Sequence, residues 1–343
     1  MDTDMHKPAA PRPASRPRPP RSLLSSQIGQ LSALTLIIFV VMAVLDPSRF
    51  LTLGNFSSMA FQFPEFAILS LAMMLSMMTG GIDLSIVGVS NLAAIVAALI
   101  LSALAGPQAA GLAAGGTIAL AVAAALLVGA ACGLFNGIAI GIFGLPPILA
   151  TLGSGLVFTG LAVAVTGGSA VLGFPAAFAF LGNGAVFGVP MPLVIFVAIA
   201  AIVWLVLERT ALGLRIQMLG TNPLAARFAG IDDLAVTLRT YVLSGLFAAC
   251  AGLVIMSRAN SAKADYGSSY LLLSILICVL GGINPYGGFG RVAGLVLAVL
   301  SLQFLSSGLN MLQVSNFAKE LIWGALLLLV MVANGIQFRR KSR

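Results

Sequence analysis

Residues 116–142 read GTIALAVAAALLVGAACGLFNGIAIGI, a stretch without a charged side chain that is long enough to cross a lipid bilayer. A helical span needs about 20 predominantly apolar residues. Similar runs, separated by Gly, Pro and a few charges, fill the chain from residue 31 to residue 336. The chain is 59% hydrophobic and 8% charged, whereas an ordinary soluble domain is about 25% charged. The sequence therefore predicts an all-α, polytopic helical membrane protein.

Ten apolar runs predict about ten transmembrane helices. Glycine, proline and charged residues end these runs, because they disrupt a helix or are costly to desolvate in lipid. The predicted spans cover residues 31–46, 58–79, 84–104, 116–142, 146–166, 190–207, 237–256, 269–281, 291–311 and 317–336. Segment 167–189 is predicted to be an extracytoplasmic loop with a short or re-entrant helix. An eight- or nine-span arrangement stays open, because the run at 269–281 is short.

The distribution of the 18 Lys and Arg residues predicts the orientation of the spans. These residues accumulate on the cytoplasmic side of membrane proteins. With ten spans, 14 of them fall inside and four fall outside: Arg49, Arg258, Lys263 and Lys319. Both chain ends and the 208–239 loop are therefore predicted to be cytoplasmic. Because the cations do not form one stripe, the net charge of +8 does not indicate nucleic-acid binding.

The sequence divides into three predicted parts. Residues 1–30 are rich in Pro, Ala and Arg and lack apolar periodicity, so we expect a disordered, basic cytoplasmic tail. Residues 31–336 form the transmembrane domain, and residues 337–343 form a second basic cytoplasmic tail. The single histidine lies in the first tail, and the three cysteines lie far apart in apolar runs. The sequence therefore predicts no metal site and no catalytic residues.

Glycines recur at every fourth position in the fourth span, at residues 129, 133, 137 and 141. This spacing lets two helices approach each other closely. Tight helix packing is the favoured interpretation, and a flexible gate is the alternative.

The 208–239 loop is the longest polar segment on the predicted cytoplasmic side. Asn222 and Pro223 form a helix-start signal, because Asn caps free amides and Pro suits the first turn. Gly230 would end this short helix as a C-terminal cap. Leu224 and Phe228 are four residues apart and would form an apolar ridge that fits a groove on a cytoplasmic partner. An ordinary connector is the alternative interpretation.

A further group of residues are candidates for a gate or a transport pathway: Glu65, Asp83, Ser85, Asn136, Phe158 and Asn284. Asp83 would cap a helix beside Ser85 or serve in a gate. Glu65 would be a pathway residue or a carboxylate that reaches the outer membrane surface. Asn136 and Phe158, together with Phe174 and Phe178, would line a sugar route or pack against lipid and other helices.

Four motifs, in chain order, resemble those of ribose-type ABC importer permeases. They are TGGIDLS at 79–85, GLPPILATLG at 144–153, the segment from Gly213 to Ile231, and LGGINPYGGFG at 280–290. Asn284-Pro285 and Pro147 depart from the residues usual in the family. The third motif resembles the family's coupling segment. The resemblance implies that ATPase coupling involves Gly220, Asn222, Pro223, Ala226, Arg227, Gly230 and Ile231.

The resemblance implies a permease subunit of an importer for a monosaccharide or a related polyol, in the bacterial inner membrane. It also implies three kinds of partner: a cytoplasmic ATP-binding-cassette ATPase, a second permease copy or sister permease, and an extracytoplasmic sugar-binding protein. The chain has no GxxxxGK[ST] phosphate loop, so ATP would be bound by the partner subunits and this chain would carry no cofactor.

Two other classes of protein fit less well. An ion-coupled secondary transporter often places ionisable residues within the membrane. The spans between residues 84 and 207 contain no charged side chain, which disfavours a proton relay. An intramembrane enzyme would need a membrane-embedded histidine or a convergent pair of acids, and the sequence offers neither.

Overall fold

A computed structural model describes residues 27–106, 108–109 and 111–341 of the chain, with side chains up to residue 332. These residues form fourteen helices and one small hairpin. The helices are α1 (Gln27–Leu45), α2 (Pro47–Phe50), α3 (Leu53–Met78), α4 (Ile86–Leu104), α5 (Gly111–Gly141), α6 (Pro147–Thr166), α7 (Ala176–Asn183), α8 (Met191–Arg209), α9 (Ala211–Thr221), α10 (Pro223–Phe228), α11 (Asp233–Ala259), α12 (Tyr270–Leu280), α13 (Val292–Met311) and α14 (Asn316–Lys341). The hairpin pairs β1 (Ala185–Val186) with β2 (Val189–Pro190) in antiparallel fashion.

A helix lies at each of the ten predicted spans, which confirms the all-α, multi-spanning fold. Among the described residues, eight helices are long and apolar enough to cross a membrane: α1, α3, α4, α5, α6, α8, α11 and α13. Helix α12 has only 11 residues, and α14 has 26. The short helix predicted within 167–189 is α7.

The prediction of a loop at 208–239 is wrong over most of that segment. Helix α8 runs to Arg209, α9 follows almost at once, and α11 already begins at Asp233. Helix α9 forms because its apolar residues Ile216 and Leu219 are buried, at 0% and 6% exposure, against the membrane-spanning helices. The sequence-based interpretation recognised α10 but missed α9.

The two predicted tails are only partly within the described chain. Residues 1–26 lie outside it, while residues 27–30 belong to α1. At the other end, the backbone of α14 continues through Lys341, beyond the predicted end of the last span at residue 336.

Helices α3 and α11 form the centre of the structure. Within the most apolar 18-residue stretch of each helix, 89% of the residues of α3 and 78% of those of α11 are buried. Helix α3 packs against α8, α11, α12 and α13, while α11 packs against α3, α4, α5 and α7. By contrast, only 17% of α1 and 22% of α6 are buried in the corresponding stretches, so these helices present apolar surface to the bilayer or to another subunit.

Four basic residues line cavities at the two ends of the helices. Arg209 and Arg291 line one cavity of about 1460 Å³ between α1, α8, α9 and the connection from α12 to α13. Arg258 and Lys319 line another cavity, beside the first turns of α12 and α14. We call the end that carries α9 and α10 the inner end and the opposite end the outer end. This separation agrees with the charge distribution predicted from the sequence.

The glycine row of α5 lies along α11. A Cβ atom on Gly133 would overlap the backbone carbonyl of Tyr241, whose carbon lies 2.8 Å from that position. A Cβ on Gly137 would come within 3.0 Å of Leu238, and Gly129 meets Gly245 backbone to backbone. The close-packing interpretation of the glycine row is confirmed, because only glycine permits this approach of the two helices.

We predict that Gly133→Ala lowers the stability of the protein by about 1–3 kcal/mol, because the methyl group must push α5 away from α11. The matched control is Gly160→Ala on α6, where nothing lies within 4 Å of the added Cβ. Thermal unfolding of both purified variants in detergent micelles measures the difference. Equal unfolding midpoints for Gly133→Ala and the unmodified protein would contradict this account of the α5–α11 contact.

Candidate functional site

Three of the predicted gate candidates meet in one buried polar cluster near the inner end. We call it the Asp83 cluster, and it consists of Asp83, Ser85, Asn136, Tyr241 and Ser244. Oδ1 of Asp83 accepts hydrogen bonds from the amide of Ser85 at 3.0 Å and from its hydroxyl at 2.6 Å, and Oδ2 accepts from the hydroxyl of Ser244 at 3.0 Å. The side-chain amide of Asn136 donates to the Ser85 hydroxyl at 2.7 Å. The cluster thus joins the α3–α4 connection to α5 and α11.

The α3–α4 connection turns sharply to bring Asp83 into this position. Gly80 has a φ of +89°, a conformation that glycine adopts without steric cost. A side chain on Gly81 would collide with the hydroxyl of Tyr241 and with Pro147. The hydroxyl of Thr151 on α6 accepts from the amide of Leu84 at 3.0 Å and lies at hydrogen-bond distance from the carbonyl of Ile82. The connection is therefore fixed on several sides by neighbouring helices.

The helix-capping interpretation of Asp83 is wrong. Its carboxylate accepts from the amide of Ser85, which precedes α4, and Ser85 is itself the N-cap residue without a side-chain capping bond. The carboxylate instead orders the connection and binds α11 across the helix interface. The role of Asp83, Ser85 and Asn136 in a gate stays a prediction.

Two polar atoms of the cluster lack partners. The Oδ1 atom of Asn136 and the hydroxyl of Tyr241 are buried and have no hydrogen bond within the described part of the chain. Asp83 is 2% exposed, and no described cation forms an ion pair with it. Such groups are costly to leave unpaired in a region of low dielectric constant. The Asp83 cluster therefore contains buried atoms whose capacity to form hydrogen bonds is not satisfied.

Glu65 lies at the middle of α3, and both of its carboxylate oxygens bond to side chains from the outer ends of α11 and α12. Its Oε1 atom accepts from Nη1 of Arg258 at 2.8 Å, and its Oε2 atom accepts from the hydroxyl of Tyr270 at 2.8 Å. The interpretation of Glu65 as a carboxylate that reaches the membrane surface is wrong, because the residue is only 5% exposed. It ties α3 to α11 and α12. A pathway role for Glu65 stays a prediction.

A surface pair beside this network is of a different kind. In the α11–α12 connection, Lys263 donates to Asp265 at 2.8 Å, and both side chains are exposed. The hydrogen bond from Lys263 lowers the pKa of the Asp265 carboxyl below its usual value. Because solvent screens this pair, we expect it to contribute little to stability.

The remaining pathway candidates do not join the Asp83 cluster. The side chain of Asn284 closes its own turn, with Nδ2 donating to the carbonyl of Gly287 at 2.9 Å and Oδ1 accepting from the amide of Tyr286 at 3.2 Å. Phe158 is buried, and its ring contacts the edge of another ring, that of Phe135, at a centroid distance of 6.0 Å. Asn284 thus stabilises its own turn, and Phe158 packs against another ring. Their participation in a pathway stays a prediction.

Phe174 and Phe178 pack against each other at the outer end. Their ring centroids lie 5.9 Å apart, and both side chains are buried. The backbone carbonyl of Phe178 accepts a hydrogen bond from the hydroxyl of Ser257 on α11 at 2.7 Å. Neither ring is in the same part of the structure as the Asp83 cluster.

The predicted coupling segment contains α10, which begins and ends as the sequence indicated. Oδ1 of Asn222 accepts from the amide of Ala225 at 3.0 Å, and Pro223 occupies the first helical position. At the other end, Gly230 has a φ of +75° and donates its amide to the carbonyl of Arg227 at 2.9 Å. The amide of Ile231 reaches the carbonyl of Ala226 at 3.0 Å. This pair of bonds is a Schellman motif, in which glycine readily supplies the left-handed residue.

Helix α10 presents its apolar side chains outwards. Leu224 is 63% exposed and Phe228 is 85% exposed, whereas Ala226 is buried at 1%. Arg227 forms an ion pair with Asp233, in the first turn of α11. The predicted ridge therefore exists on the surface, and the helix that carries it is joined to α11.

A second contact joins this region to α3. Gly220, near the end of α9, lies against the backbone of Met78 and of Gly288, and the amide of Gly288 donates to the carbonyl of Met78 at 2.9 Å. A Cβ on Gly220 would overlap both neighbouring backbones. The end of α9, the end of α3 and the connection from α12 to α13 are therefore in direct backbone contact at this point.

Several residues of these sites were not found from the sequence. Tyr241 and Ser244 stand three positions apart in a predicted span, so they share one face of that helix. This spacing of polar residues in an apolar run was the available signal. Thr151, Arg258 and Tyr270 carried no comparable local signal, because their partners lie far away in the chain.

The described residues contain no group of three or more His, Cys, Asp or Glu side chains that could hold a metal ion. The cysteines Cys132, Cys250 and Cys278 form no disulfide. The chemistry available at the Asp83 cluster is accordingly hydrogen bonding by a carboxylate, hydroxyls and an amide.

Comparison with known proteins gives one family and a set of relatives that align over most of the chain. Residues 55–331 match the family model described as branched-chain amino acid transport system / permease component. The chain is 32% identical to the autoinducer 2 import system permease protein LsrD of Yersinia pseudotuberculosis, over 90% of this chain and 91% of that protein. The protein of the same name from Yersinia pestis gives the same identity and coverage. No solved structure matches the chain significantly.

We predict that Ser244→Ala lowers the stability by about 1.5–3 kcal/mol, because the Asp83 carboxylate loses one donor in a buried site. The matched control is Ser102→Ala, whose hydroxyl bonds to a carbonyl in its own helix on the exposed surface. Thermal unfolding in detergent micelles again measures the effect. If Ser244→Ala and Ser102→Ala unfold at the same temperature, the carboxylate does not depend on this bond.

Proposed function

The chain belongs to the family of branched-chain amino acid transport system permease components, and on that premise we propose that α10 transmits the action of a separate ATPase to the membrane-spanning helices. Family membership makes the chain a multi-pass permease subunit of an ABC importer in the bacterial inner membrane. It is a transport component without an ATPase site of its own. The proposal concerns how this subunit is coupled and what it carries.

The exposure of α10 is the observation that carries the coupling proposal. A short helix, closed at both ends by local hydrogen bonds, projects Leu224 and Phe228 from the inner end of the protein. Exposed apolar residues at i and i+4 fit a groove on a partner protein. The shape of this helix depends on Asn222, Pro223 and Gly230. Replacing one of them would disturb coupling through the conformation of α10, even without a contact between that residue and the partner.

Two contacts supply a route from α10 to the centre of the permease. The ion pair from Arg227 to Asp233 connects α10 with α11, and the backbone contact at Gly220 connects α9 with the end of α3. Helices α3 and α11 are the most buried of the candidate spans. A displacement of α10 by a bound ATPase would therefore act directly on the core helices. Ala226 is buried and Ile231 packs against the hydrophobic core, so both residues hold α10 to this framework.

The family implies ATPase and binding-protein partners in general. We propose more specifically that two ABC ATPase subunits bind ATP at the inner face, that this chain binds no cofactor, and that an extracytoplasmic sugar-binding protein delivers the substrate. A second copy of this chain, or a sister permease, would complete the pathway. The sparsely buried apolar helices α1 and α6 leave room for such a neighbour in the bilayer.

We propose a monosaccharide or a related small polyol as the substrate. The relatives that align over 90% of the chain are named for the import of autoinducer 2, whereas the family description names branched-chain amino acids. The four sequence motifs shared with ribose-type permeases favour the sugar-like class. Competition by ribose, autoinducer 2 and leucine for uptake in cells that express the complete transporter would separate these classes, and leucine as the sole competitor would overturn the proposal.

We predict that Phe228→Ala reduces ATP-driven uptake at least several-fold in proteoliposomes that contain this chain, its ATPase and its binding protein. The reason is that the partner groove loses its largest apolar contact. The matched control is Phe317→Ala, an equally exposed phenylalanine, at 86%, in the first turn of α14. Uptake and ATP hydrolysis are measured together, so that weak assembly is distinguished from uncoupled hydrolysis.

The same vesicles test the class of transporter. An ATP-driven importer takes up substrate only when nucleotide reaches the inner face, irrespective of the ion gradient. Uptake that an imposed proton or sodium gradient drives without nucleotide would contradict the proposal and would favour a secondary transporter.

A further inference from the structure

A polar cavity of about 310 Å³ opens at the outer end between α3, the end of α11, α12, α13 and α14. Its volume lies at the lower limit of the range of about 300–1000 Å³ that is usual for small-molecule sites. It lies near the first turns of α12 and α14, at the opposite end of α3 from the contact with α9. The cavity is therefore separate from both the Asp83 cluster and α10.

The side-chain amide of Gln303 is the first indication of a ligand. Gln303 lies on α13, is only 3% exposed and lines the cavity. No described residue makes a hydrogen bond to its amide. Because its nitrogen and oxygen are not fully buried, the surface of the cavity includes this unpaired amide. An occupant with hydroxyl or carboxylate groups would satisfy it.

The guanidinium of Arg258 is held in place at the cavity wall. One of its nitrogens donates to Glu65 at 2.8 Å, and Tyr270 holds the other oxygen of that carboxylate. The Arg258 side chain keeps 31% exposure and lines the cavity, so its other N–H groups are available to an occupant. The Glu65 carboxylate balances the charge of this group.

The ammonium group of Lys319 has no carboxylate as a counter-charge among the described residues. Lys319 is 8% exposed, and its Nζ atom donates to the side-chain oxygens of Asn310 and Asn316, which are neutral. No described carboxylate lies within ion-pair distance of it, although Glu320 also lines the cavity at its exposed edge. A buried cation without a counter-charge is unfavourable. An anionic occupant would compensate it.

The remaining wall provides a flat apolar surface. The ring of Trp323 is 8% exposed and lines the cavity together with Phe66. Aromatic rings combined with amide and cationic donors in one cavity suit a compact molecule with one apolar face and several hydroxyl groups.

We propose that this cavity is a binding site for a small hydroxylated anion, whose negative group meets Lys319 and Arg258 and whose hydroxyls meet the amide of Gln303. An aldonate, a sugar phosphate or a glycerol-type lipid headgroup has this chemistry. The site belongs to the isolated chain, so it does not depend on the proposed coupling to an ATPase.

The test uses the full-length protein with Trp204→Phe, so that Trp323 is the one remaining tryptophan of the two in the sequence. The protein is placed in nanodiscs of phosphatidylcholine, and its fluorescence is titrated with D-gluconate and with D-sorbitol. These probes share a carbon skeleton and differ in the carboxylate. We expect a saturable change with gluconate and an affinity for sorbitol that is weaker by about tenfold or more.

Two variants assign the contacts. Lys319→Gln should abolish the preference for gluconate over sorbitol, and Gln303→Leu should weaken both probes. The control Lys263→Gln removes an exposed lysine in the α11–α12 connection and should change neither titration. Size-exclusion profiles and unfolding temperatures verify that each variant is folded.

Three outcomes would overturn the proposal: no saturation by gluconate in the unmodified protein, equal affinities for the two probes, or a preserved preference in folded Lys319→Gln. The first two outcomes are independent of any change at Lys319. In a second set of nanodiscs that contain phosphatidylglycerol, a lower apparent affinity for gluconate would identify the lipid headgroup as an occupant of the same site. An unchanged affinity would identify a soluble ligand.

Discussion

The buried carboxylate of Asp83 fixes the arrangement of the helices around it. Its oxygens accept from Ser85 and from Ser244, so the connection from α3 to α4 and the middle of α11 are held to a common anion. Asn136 brings α5 into the same network through Ser85. In an interior of low dielectric constant such hydrogen bonds are strong. The loss of either donor would leave a carboxylate oxygen without a partner, which is energetically unfavourable. A carboxylate at this depth is tolerated because donors from two segments, Ser85 and Ser244, satisfy both of its oxygens.

Close backbone packing makes this network possible. The glycines of α5 let that helix lie directly on α11, and Gly81 leaves space for the hydroxyl of Tyr241. Gly220 serves the same purpose at the inner end, where α9 touches the end of α3. Small residues thus determine how near the helices come, and the polar side chains then determine which faces meet. In a bilayer close packing is important, because the hydrophobic effect contributes little to the association of helices that are already surrounded by lipid.

Helix α3 contacts two polar networks. The inner network is the Asp83 cluster, which follows the inner end of the helix, and the outer network joins Glu65, at the middle of the helix, to Arg258 and Tyr270. The inner network lies close to the segment that we propose receives an ATPase. The outer network positions Arg258 at the wall of the polar cavity. One central helix therefore contacts both networks.

The sequence by itself determined the class of protein, the positions of the ten apolar helices and the limits of α10. These features depend on local signals: the length of apolar runs, the Asn222 cap and the left-handed Gly230. The glycine row of α5 likewise predicted a close contact with another helix, although it did not identify that helix. Helix α9 was missed, because its short apolar pattern becomes meaningful only when the spanning helices bury it.

The tertiary structure alone decided which polar residues meet. Asp83 and Ser244 are 161 positions apart, and Glu65 and Tyr270 are 205 apart. The assignment of Asp83 as a helix cap and of Glu65 as a surface carboxylate failed for the same reason. Whether a charged side chain in an apolar segment reaches water or a distant partner depends on which helix faces pack together, and no local pattern in the chain records that choice.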